Sequence, residues 1–127
     1  MTEKRMRKAA RLSTEMEGYD TVSTHGSPGT GTAIACWGST KGVCGEVADE
    51  LGLMTIQPLV LSPFPVVRFR NAMQGVSRLI AVEENATGQL AALLRLNTIP
   101  VDAMVLHYDG RPLTPNVIRS RLKEVIP

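Results

Sequence analysis

The sequence predicts an α/β fold, a three-layer α/β/α sandwich around a mostly parallel sheet. The chain has 127 residues, which is the length of about one domain. Hydrophobic residues make up 43% of it and charged residues 20%, as in ordinary globular proteins. From residue 33 onward, apolar runs alternate with segments of helical periodicity. Because parallel strands must be joined by crossovers, this alternation is typical of a parallel sheet with helices on both faces.

The N-terminal part of the chain is basic. Residues 1–17 carry Arg5, Lys8 and Arg11 at helical spacing, which predicts a helix or linker that leads in from a preceding domain. The charges are not followed by an apolar run with a small-residue cleavage site, so this segment does not read as a secretory signal and a cytoplasmic location is expected. The α/β domain itself is predicted to occupy residues 18–127.

A short strand is predicted at Tyr19–Ser23, ahead of a glycine-rich loop over Gly26–Thr32. The first strand–helix unit follows this loop. Its strand is the apolar run Ala33–Trp37, and a turn with N-capping hydroxyls leads into a helix that ends at Gly52. The apolar residues that recur at helical spacing in this helix are Val43, Val47, Ala48 and Leu51.

The second unit begins with a predicted strand at Met54–Leu61 and a turn at Ser62–Pro65. Pro58 lies inside this strand and cannot donate a ladder hydrogen bond, so we expect a bulge or an edge position there. The helix of this unit is predicted from one apolar face, formed by Val66, Phe69, Met73 and Val76.

The third unit has a buried strand at Arg78–Val82 and a loop at Glu83–Thr87. Its helix is predicted from the apolar stripe of Leu90, Leu93 and Leu94.

The fourth unit has a strand at Ala103–His107 and a tight turn at Asp109-Gly110. Thr114 as N-cap and Pro115 at the first helical position begin its helix, with Ile118, Leu122 and Val125 facing inward. The strands of the four units are therefore predicted to lie parallel in one sheet.

Composition argues against several classes of function. The formal net charge of +2 is too small to indicate nucleic-acid binding, and no apolar stretch approaches the roughly 18 residues of a membrane helix. Cys36 and Cys44 form no C-x-x-C pair and are predicted to be ordinary buried thiols. His25 and His107 lie far apart in sequence, so a catalytic metal site is not expected.

Loops at the carboxyl ends of the strands are where such folds bind ligands. The segment Gly38-Ser39-Thr40-Lys41-Gly42 offers amides, hydroxyls and a lysine at a helix start, which makes Ser39, Thr40 and Lys41 weak candidates for an anion site. The segment matches no phosphate-binding motif, and a plain capped turn is the favoured interpretation.

Polar residues are most concentrated in the loop Glu83–Gln89. Neighbouring carboxylates on an extended chain point in opposite directions, which disfavours acid–base catalysis there, and Asn85 or Thr87 can cap the next helix. We interpret the loop as a contact surface whose side chains face outward. The interface candidates are Glu83, Asn85, Thr87 and Gln89, together with Phe64 and Arg111 from other loops.

Four segments also carry a resemblance to a known family: Cys36–Gly42, Pro63–Pro65, Val82–Leu90 and Tyr108–Pro115. In this order they resemble the C-terminal region of the α subunit of 2-oxoacid:ferredoxin oxidoreductases, the 2-oxoglutarate or pyruvate type. The similarity spans about Leu12 to Ile126.

The resemblance implies a transketolase C-terminal-like domain, called core domain II, with a five-stranded sheet in which one strand is antiparallel. The strand at Tyr19–Ser23 would be that strand. It also implies partners, namely the remaining domains of the α subunit, the β subunit, ferredoxin and coenzyme A. The complete complex would decarboxylate a 2-oxoacid with thiamine diphosphate, magnesium and iron–sulfur clusters held elsewhere. This chain would then hold no catalytic, cofactor or metal residue and would be inactive alone.

Two alternatives remain open at the level of sequence. A free-standing flavodoxin-like or Rossmann-like nucleotide-binding module shares the strand–helix alternation. A homomeric structural protein shares it as well.

Overall fold

A computed structural model gives the architecture of the chain and describes residues 20–27 and 31–126. Five strands form one sheet in the order β1-β3-β2-β4-β5. The strands are β1 Val22–His25, β2 Thr32–Ala35, β3 Met54–Pro58, β4 Arg78–Glu83 and β5 Ala103–Leu106. The helices are α1 Lys41–Leu51, α2 Val66–Ala72, α3 Gln89–Leu96 and α4 Pro115–Val125.

The pairing of the strands confirms the predicted fold. Strands β2, β3, β4 and β5 are parallel, while β1 runs antiparallel to β3 with Val22 opposite Pro58. The antiparallel strand lies at Val22–His25, slightly later than the predicted Tyr19–Ser23. The helix predicted over residues 1–17 lies outside the described residues, and the division at residue 18 stays a prediction.

Pro58 ends strand β3 instead of bulging it, and β3 is an inner strand, so the expected edge position is wrong. The Cys36 N–H donates to the carbonyl of Ile56 at 3.1 Å. In a parallel ladder, the carbonyl of Cys36 would next accept from the N–H of residue 58, which proline lacks. The ladder between β2 and β3 therefore stops where the sequence removes a donor, and the predicted strand up to Leu61 is too long.

Side chains alternate between two apolar layers, one on each face of the sheet. Ala33 and Ala35 face a layer with α2 and α3, whereas Ile34 and Cys36 face a layer with α1 and α4. The first layer also contains Phe69, Leu90, Ala91 and Leu94, and the second contains Cys44, Val47, Ala48, Ile118 and Leu122. A sheet covered on both faces needs apolar residues at successive positions, which explains the continuous apolar runs in the sequence.

The order of the strands creates a crevice at the carboxyl ends of β2 and β4. From β2 the chain moves to β3 on one side and then crosses back to β4 on the other side. The loops that leave β2 and β4 therefore diverge, and open α/β sheets bind ligands at such a switch point. None of the described helices is long and apolar enough to cross a membrane.

Candidate functional site at the sheet switch point

A cavity of about 330 Å³ lies between the loops that follow β2 and β4. We call it the switch-point crevice. Its lining is formed by Trp37, Gly38, Ser39, Thr40, Glu84, Asn85 and Gln89. One wall thus comes from the loop before α1 and the other from the loop before α3. The two candidate segments of the sequence, Gly38–Gly42 and Glu83–Gln89, therefore both contribute to this crevice.

The wall that follows β2 is a single 3-10 turn, Gly38–Thr40, held by one buried hydroxyl. Thr40 Oγ1 donates to the carbonyl of Trp37 at 2.9 Å and accepts from the Trp37 N–H at 3.4 Å. Gly38 has a φ of 61°, which glycine adopts without steric cost. The hydroxyl of Thr40 is therefore used within the turn. Ser39 is exposed at the crevice, and Trp37 both lines the crevice and packs against the apolar core.

The three anion candidates are not brought together by the fold. Ser39 Oγ lies 3.4 Å from Glu84 Oε1, so a carboxylate already occupies the neighbourhood where an anion would bind. Lys41 instead lines a second cavity, of about 550 Å³, with His25 and Asp49. Because a nearby negative charge repels an anion, this arrangement weighs against an anion site. The predicted capping of α1 by a hydroxyl is also wrong, because Thr40 is the N-cap residue but its side chain forms no hydrogen bond to the helix.

Glu83 does not face outward, which corrects the expectation from the sequence. Its side chain is fully buried, and Oε1 accepts from the Leu90 N–H at 2.6 Å while Oε2 accepts from the Ala91 N–H at 3.2 Å. Asn85 Nδ2 donates to the same carboxylate at 3.0 Å. The first N–H groups of a helix lack partners within the helix, and the carboxylate of Glu83 satisfies two of them in α3. Glu83 is therefore a helix-capping residue and not part of an exposed surface.

Asn85 confirms the predicted capping role. Its Oδ1 accepts from the N–H groups of Thr87 at 3.2 Å, Gly88 at 2.7 Å and Gln89 at 3.3 Å. These bonds fix the loop that carries the exposed residues Glu84, Thr87 and Gln89. The loop is consequently rigid at its base and exposed at its tip, as a contact surface requires.

The other two interface candidates lie outside the lining of the crevice. Phe64 is half-buried and its ring lies 5.7 Å from the ring of Phe69, centroid to centroid. Arg111 is largely exposed in the loop after β5, where its carbonyl lies 2.8 Å from His107 Nε2. The Arg111 N–H donates to Asp109 Oδ1 at 2.9 Å, and this bond lowers the pKa of the Asp109 carboxyl below its ordinary value of 3.8.

Trp37 and Glu84 line the crevice but are not among the site residues predicted from sequence. Glu84 follows β4 directly, and Trp37 comes two residues after the end of β2. A position just after a strand is the feature by which the sequence could have identified these two residues. That the two loops are neighbours follows only from the order of the strands.

The two cysteines are free, buried and in contact, as predicted for structural thiols. A hydrogen bond with Cys44 lowers the pKa of Cys36, and nearby Lys41 acts in the same direction. The same hydrogen bond and burial raise the pKa of Cys44 far above its ordinary range. In this hydrogen bond Cys44 is therefore the donor and Cys36 the acceptor.

The described residues do not fit the cofactors of an iron–sulfur oxidoreductase. No group of three or more His, Cys, Asp or Glu side chains that could hold a metal is found among residues 20–27 and 31–126. A cluster of the common type takes four thiolates, and the whole chain has 2 cysteines.

Comparison with known proteins gives a consistent set of relatives. No family model matches the chain. The α subunit of a 2-oxoacid:ferredoxin oxidoreductase from Saccharolobus solfataricus is 32% identical over 132 residues, covering 99% of this chain and 21% of that protein. An α subunit of the same description from Aeropyrum pernix is 31% identical over 129 residues, covering 97% of the chain and 20% of the relative.

Solved structures that resemble this chain belong to enzymes of the same description. A 2-oxoglutarate:ferredoxin oxidoreductase from Magnetococcus marinus, with 2-oxoglutarate, coenzyme A and succinyl-CoA bound, matches with a TM-score of 0.75 and 26% identity. That match covers 90% of this chain and 21% of the other. The α chain of a probable 2-oxoacid ferredoxin oxidoreductase from Thermoplasma acidophilum matches with a TM-score of 0.56, 27% identity and 96% coverage of that chain. Over nearly its whole length the chain is thus similar to a portion of the α subunit of 2-oxoacid:ferredoxin oxidoreductases, and it spans about one fifth of the curated relatives it matches.

Proposed function

We propose that the chain is a structural and subunit-contact domain of the α subunit of a 2-oxoacid:ferredoxin oxidoreductase, with a transketolase C-terminal-like fold. The observation that carries this proposal is the similarity of 97–99% of the chain to a single portion of such α subunits. The match in fold to a 2-oxoglutarate:ferredoxin oxidoreductase supports it independently. The cytoplasmic location of the chain stays a prediction.

The complete complex, in this proposal, converts a 2-oxoacid to an acyl-CoA and reduces ferredoxin. The relative that was solved with 2-oxoglutarate, coenzyme A and succinyl-CoA makes 2-oxoglutarate our first choice of substrate over pyruvate. Thiamine diphosphate, magnesium and the iron–sulfur clusters are proposed to bind to other domains or subunits. For the metals, this agrees with the lack of a group of metal-ligating side chains among the described residues. The β subunit and the rest of the α subunit are the proposed partners.

Within this domain we assign the contact to the outer rim of the switch-point crevice. Glu84 and Gln89 line the crevice and are exposed, and the hydrogen bonds of Asn85 fix the loop backbone at Gly88 and Gln89. A loop backbone that is fixed before binding loses little conformational entropy on association, which favours a specific contact. Glu83 is excluded from this surface because it is buried, while Thr87, Phe64 and Arg111 stay candidates for further contacts.

The test replaces Glu84 and Gln89 together by alanine in a complete oxidoreductase that contains this chain. We expect the melting temperature of the isolated chain to change by less than about 2 °C, because exposed sites contribute little to stability. The affinity for the remaining subunits, measured by analytical ultracentrifugation, is expected to fall by about tenfold or more. Reduction of ferredoxin with 2-oxoglutarate and coenzyme A should fall in parallel.

The matched control is the double variant Gln74→Ala, Glu124→Ala, which removes the same two residue types from exposed positions outside the crevice. It should leave assembly and activity unchanged. Assembly that is equally unaffected by both double variants contradicts a contact at the crevice. A saturable change in Trp37 fluorescence on titration with nucleotides or flavins would instead support the nucleotide-binding alternative, because Trp37 lines the crevice.

A further inference from the structure

The sheet has two edges that differ in chemistry. Strand β5 forms one edge and pairs, among the described strands, with β4 alone. Its sequence Ala103-Met104-Val105-Leu106 contains no charged or polar side chain. Natural proteins protect exposed edges with charges, prolines or bulges, because an apolar edge pairs readily with another chain. Residues 103–106 carry none of these protections.

An apolar stripe runs along this edge on the α3 side of the sheet. Met104 lies opposite Ala81 in the ladder, and Ala81 belongs to the layer with α2 and α3. Since side chains alternate along a strand, Leu106 follows Met104 on the same face, and Tyr108 comes two residues after the end of the strand. Met104 is 39% exposed and Tyr108 is 65% exposed. The stripe is therefore only partly covered by α3.

The backbone of β5 offers hydrogen-bonding groups beside this stripe. The His107 N–H donates to the carbonyl of Glu83 at 2.9 Å, so His107 faces β4. Orientation alternates along a strand, which turns the N–H and carbonyl groups of Met104 and Leu106 away from the sheet. Arg121 approaches the Leu106 carbonyl at 3.4 Å, a distance of a weak hydrogen bond.

The opposite edge is polar. Strand β1 has the sequence Val-Ser-Thr-His, and His25 Nε2 lies 2.7 Å from Asp49 Oδ1, within hydrogen-bond distance. A partner strand on β1 would have to displace water from these groups, whereas a partner on β5 would bury apolar surface. The edge at β5 is therefore the one that favours association.

We propose that β5 pairs with β5 of a second copy of this chain, antiparallel and about a two-fold axis at Val105. In this register Met104 of each copy lies opposite Leu106 of the other, so the outward N–H and carbonyl groups satisfy each other. The two sheets become one continuous sheet, and the apolar stripes meet.

Charge supports a second copy as the occupant. Asp102 precedes the strand and is exposed, with Oδ2 accepting from the Leu79 N–H at 2.8 Å. Arg121 lies near the other end of the strand, beside Leu106. Antiparallel pairing about a two-fold axis brings Asp102 of one copy towards Arg121 of the other. The uncharged strand between them contains no like charges that would face each other in a self-paired edge.

The experiment measures the mass of the 127-residue chain by sedimentation equilibrium between about 1 and 100 µM. Typical weak self-association lies in this range. We expect a species of twice the monomer mass of 13.7 kDa at the upper concentrations. Met104→Lys should weaken the dimer by on the order of 100-fold or more, because it places a charge on the paired edge.

Leu96→Lys is the matched control, since Leu96 is 81% exposed at the other end of α3 from Met104. It should leave the dimer intact. Hydrogen exchange of the unmodified chain gives a second readout, in which the amides of Met104 and Leu106 become protected as the concentration rises. A monomer across the whole range, or a dimer that resists Met104→Lys, overturns the proposal. This inference does not rest on the proposed oxidoreductase function.

Discussion

Glu83 is fully buried, whereas its neighbour Glu84 is exposed, so two adjacent residues of the same type have different roles. Glu83 and Glu84 are adjacent, yet one caps α3 from within and the other lines the switch-point crevice. The alternation of a strand predicts that the two side chains diverge, and the structure confirms it. The sequence does not show which of them is buried, because that depends on α3 folding back over the end of β4.

Replacing Glu83 by alanine should destabilise the chain by about 2–4 kcal/mol, because two N–H groups of α3 and the Asn85 amide lose a charged acceptor. Glu83→Gln keeps the size and one carbonyl oxygen, so we expect about half that loss. Glu84→Ala is the control and should change stability by less than about 0.5 kcal/mol. Urea unfolding followed by circular dichroism measures all three. Equal losses for the Glu83 and Glu84 variants would refute the capping role.

The elements themselves were predicted well from local signals. Each of the four strand–helix units is present, and the caps at Thr114 and Gly52 are where the sequence places them. Two ends differ from the prediction. Strand β3 stops at Pro58, which lacks the N–H that the ladder with β2 would need next, and α2 ends at Ala72, so that Met73 and Val76 pack against the core after the end of the helix.

The N-terminus of α3 depends on a glycine in the left-handed region. Gly88 has a φ of 66°, and a Cβ there would lie 2.9 Å from Met104 Sδ. Gly38 has a similar φ of 61° but open space around it. We expect Gly38→Ala to cost about 1 kcal/mol from backbone strain alone, and Gly88→Ala about 2 kcal/mol because the methionine must also move.

A double-mutant cycle separates the two effects. Adding Met104→Ala should remove the steric part of the Gly88→Ala loss and leave Gly38→Ala unaffected, within about 0.5 kcal/mol. Urea unfolding at low protein concentration supplies the free energies of the unmodified chain, the three single variants and the two double variants. If Met104→Ala rescues both glycine variants equally, the contact between Gly88 and Met104 is not the cause.

The whole molecule is built from two apolar layers that share one sheet. Adjacent residues of the same strand enter different layers, as Ala33 and Ile34 do, so neither layer can separate without unfolding the strand. The order of the strands could not be predicted from sequence, because near-continuous apolar runs do not specify their neighbours. The switch-point crevice is a property of that order and was therefore beyond sequence analysis.

Unfolding should consequently be a single transition. The fluorescence of Trp37, the one tryptophan of the chain, reports on the crevice, while circular dichroism at 222 nm reports on all helices. We expect both signals to give the same urea midpoint at concentrations where the chain is monomeric. Midpoints that differ reproducibly would show that one layer unfolds before the other.

The antiparallel strand β1 has a further consequence for the way the chain is made. It precedes the other described strands along the chain, yet its pairing partner is β3, with Val22 opposite Pro58. During synthesis on a ribosome, β1 therefore emerges before its partner and can pair with β3 only after β3 has left the exit tunnel. Strand β2 pairs with one side of β3, so β1 pairs with the other side and forms the edge of the sheet. A peptide with the sequence of β1 is consequently a natural candidate for complementation in trans of a chain that begins after it.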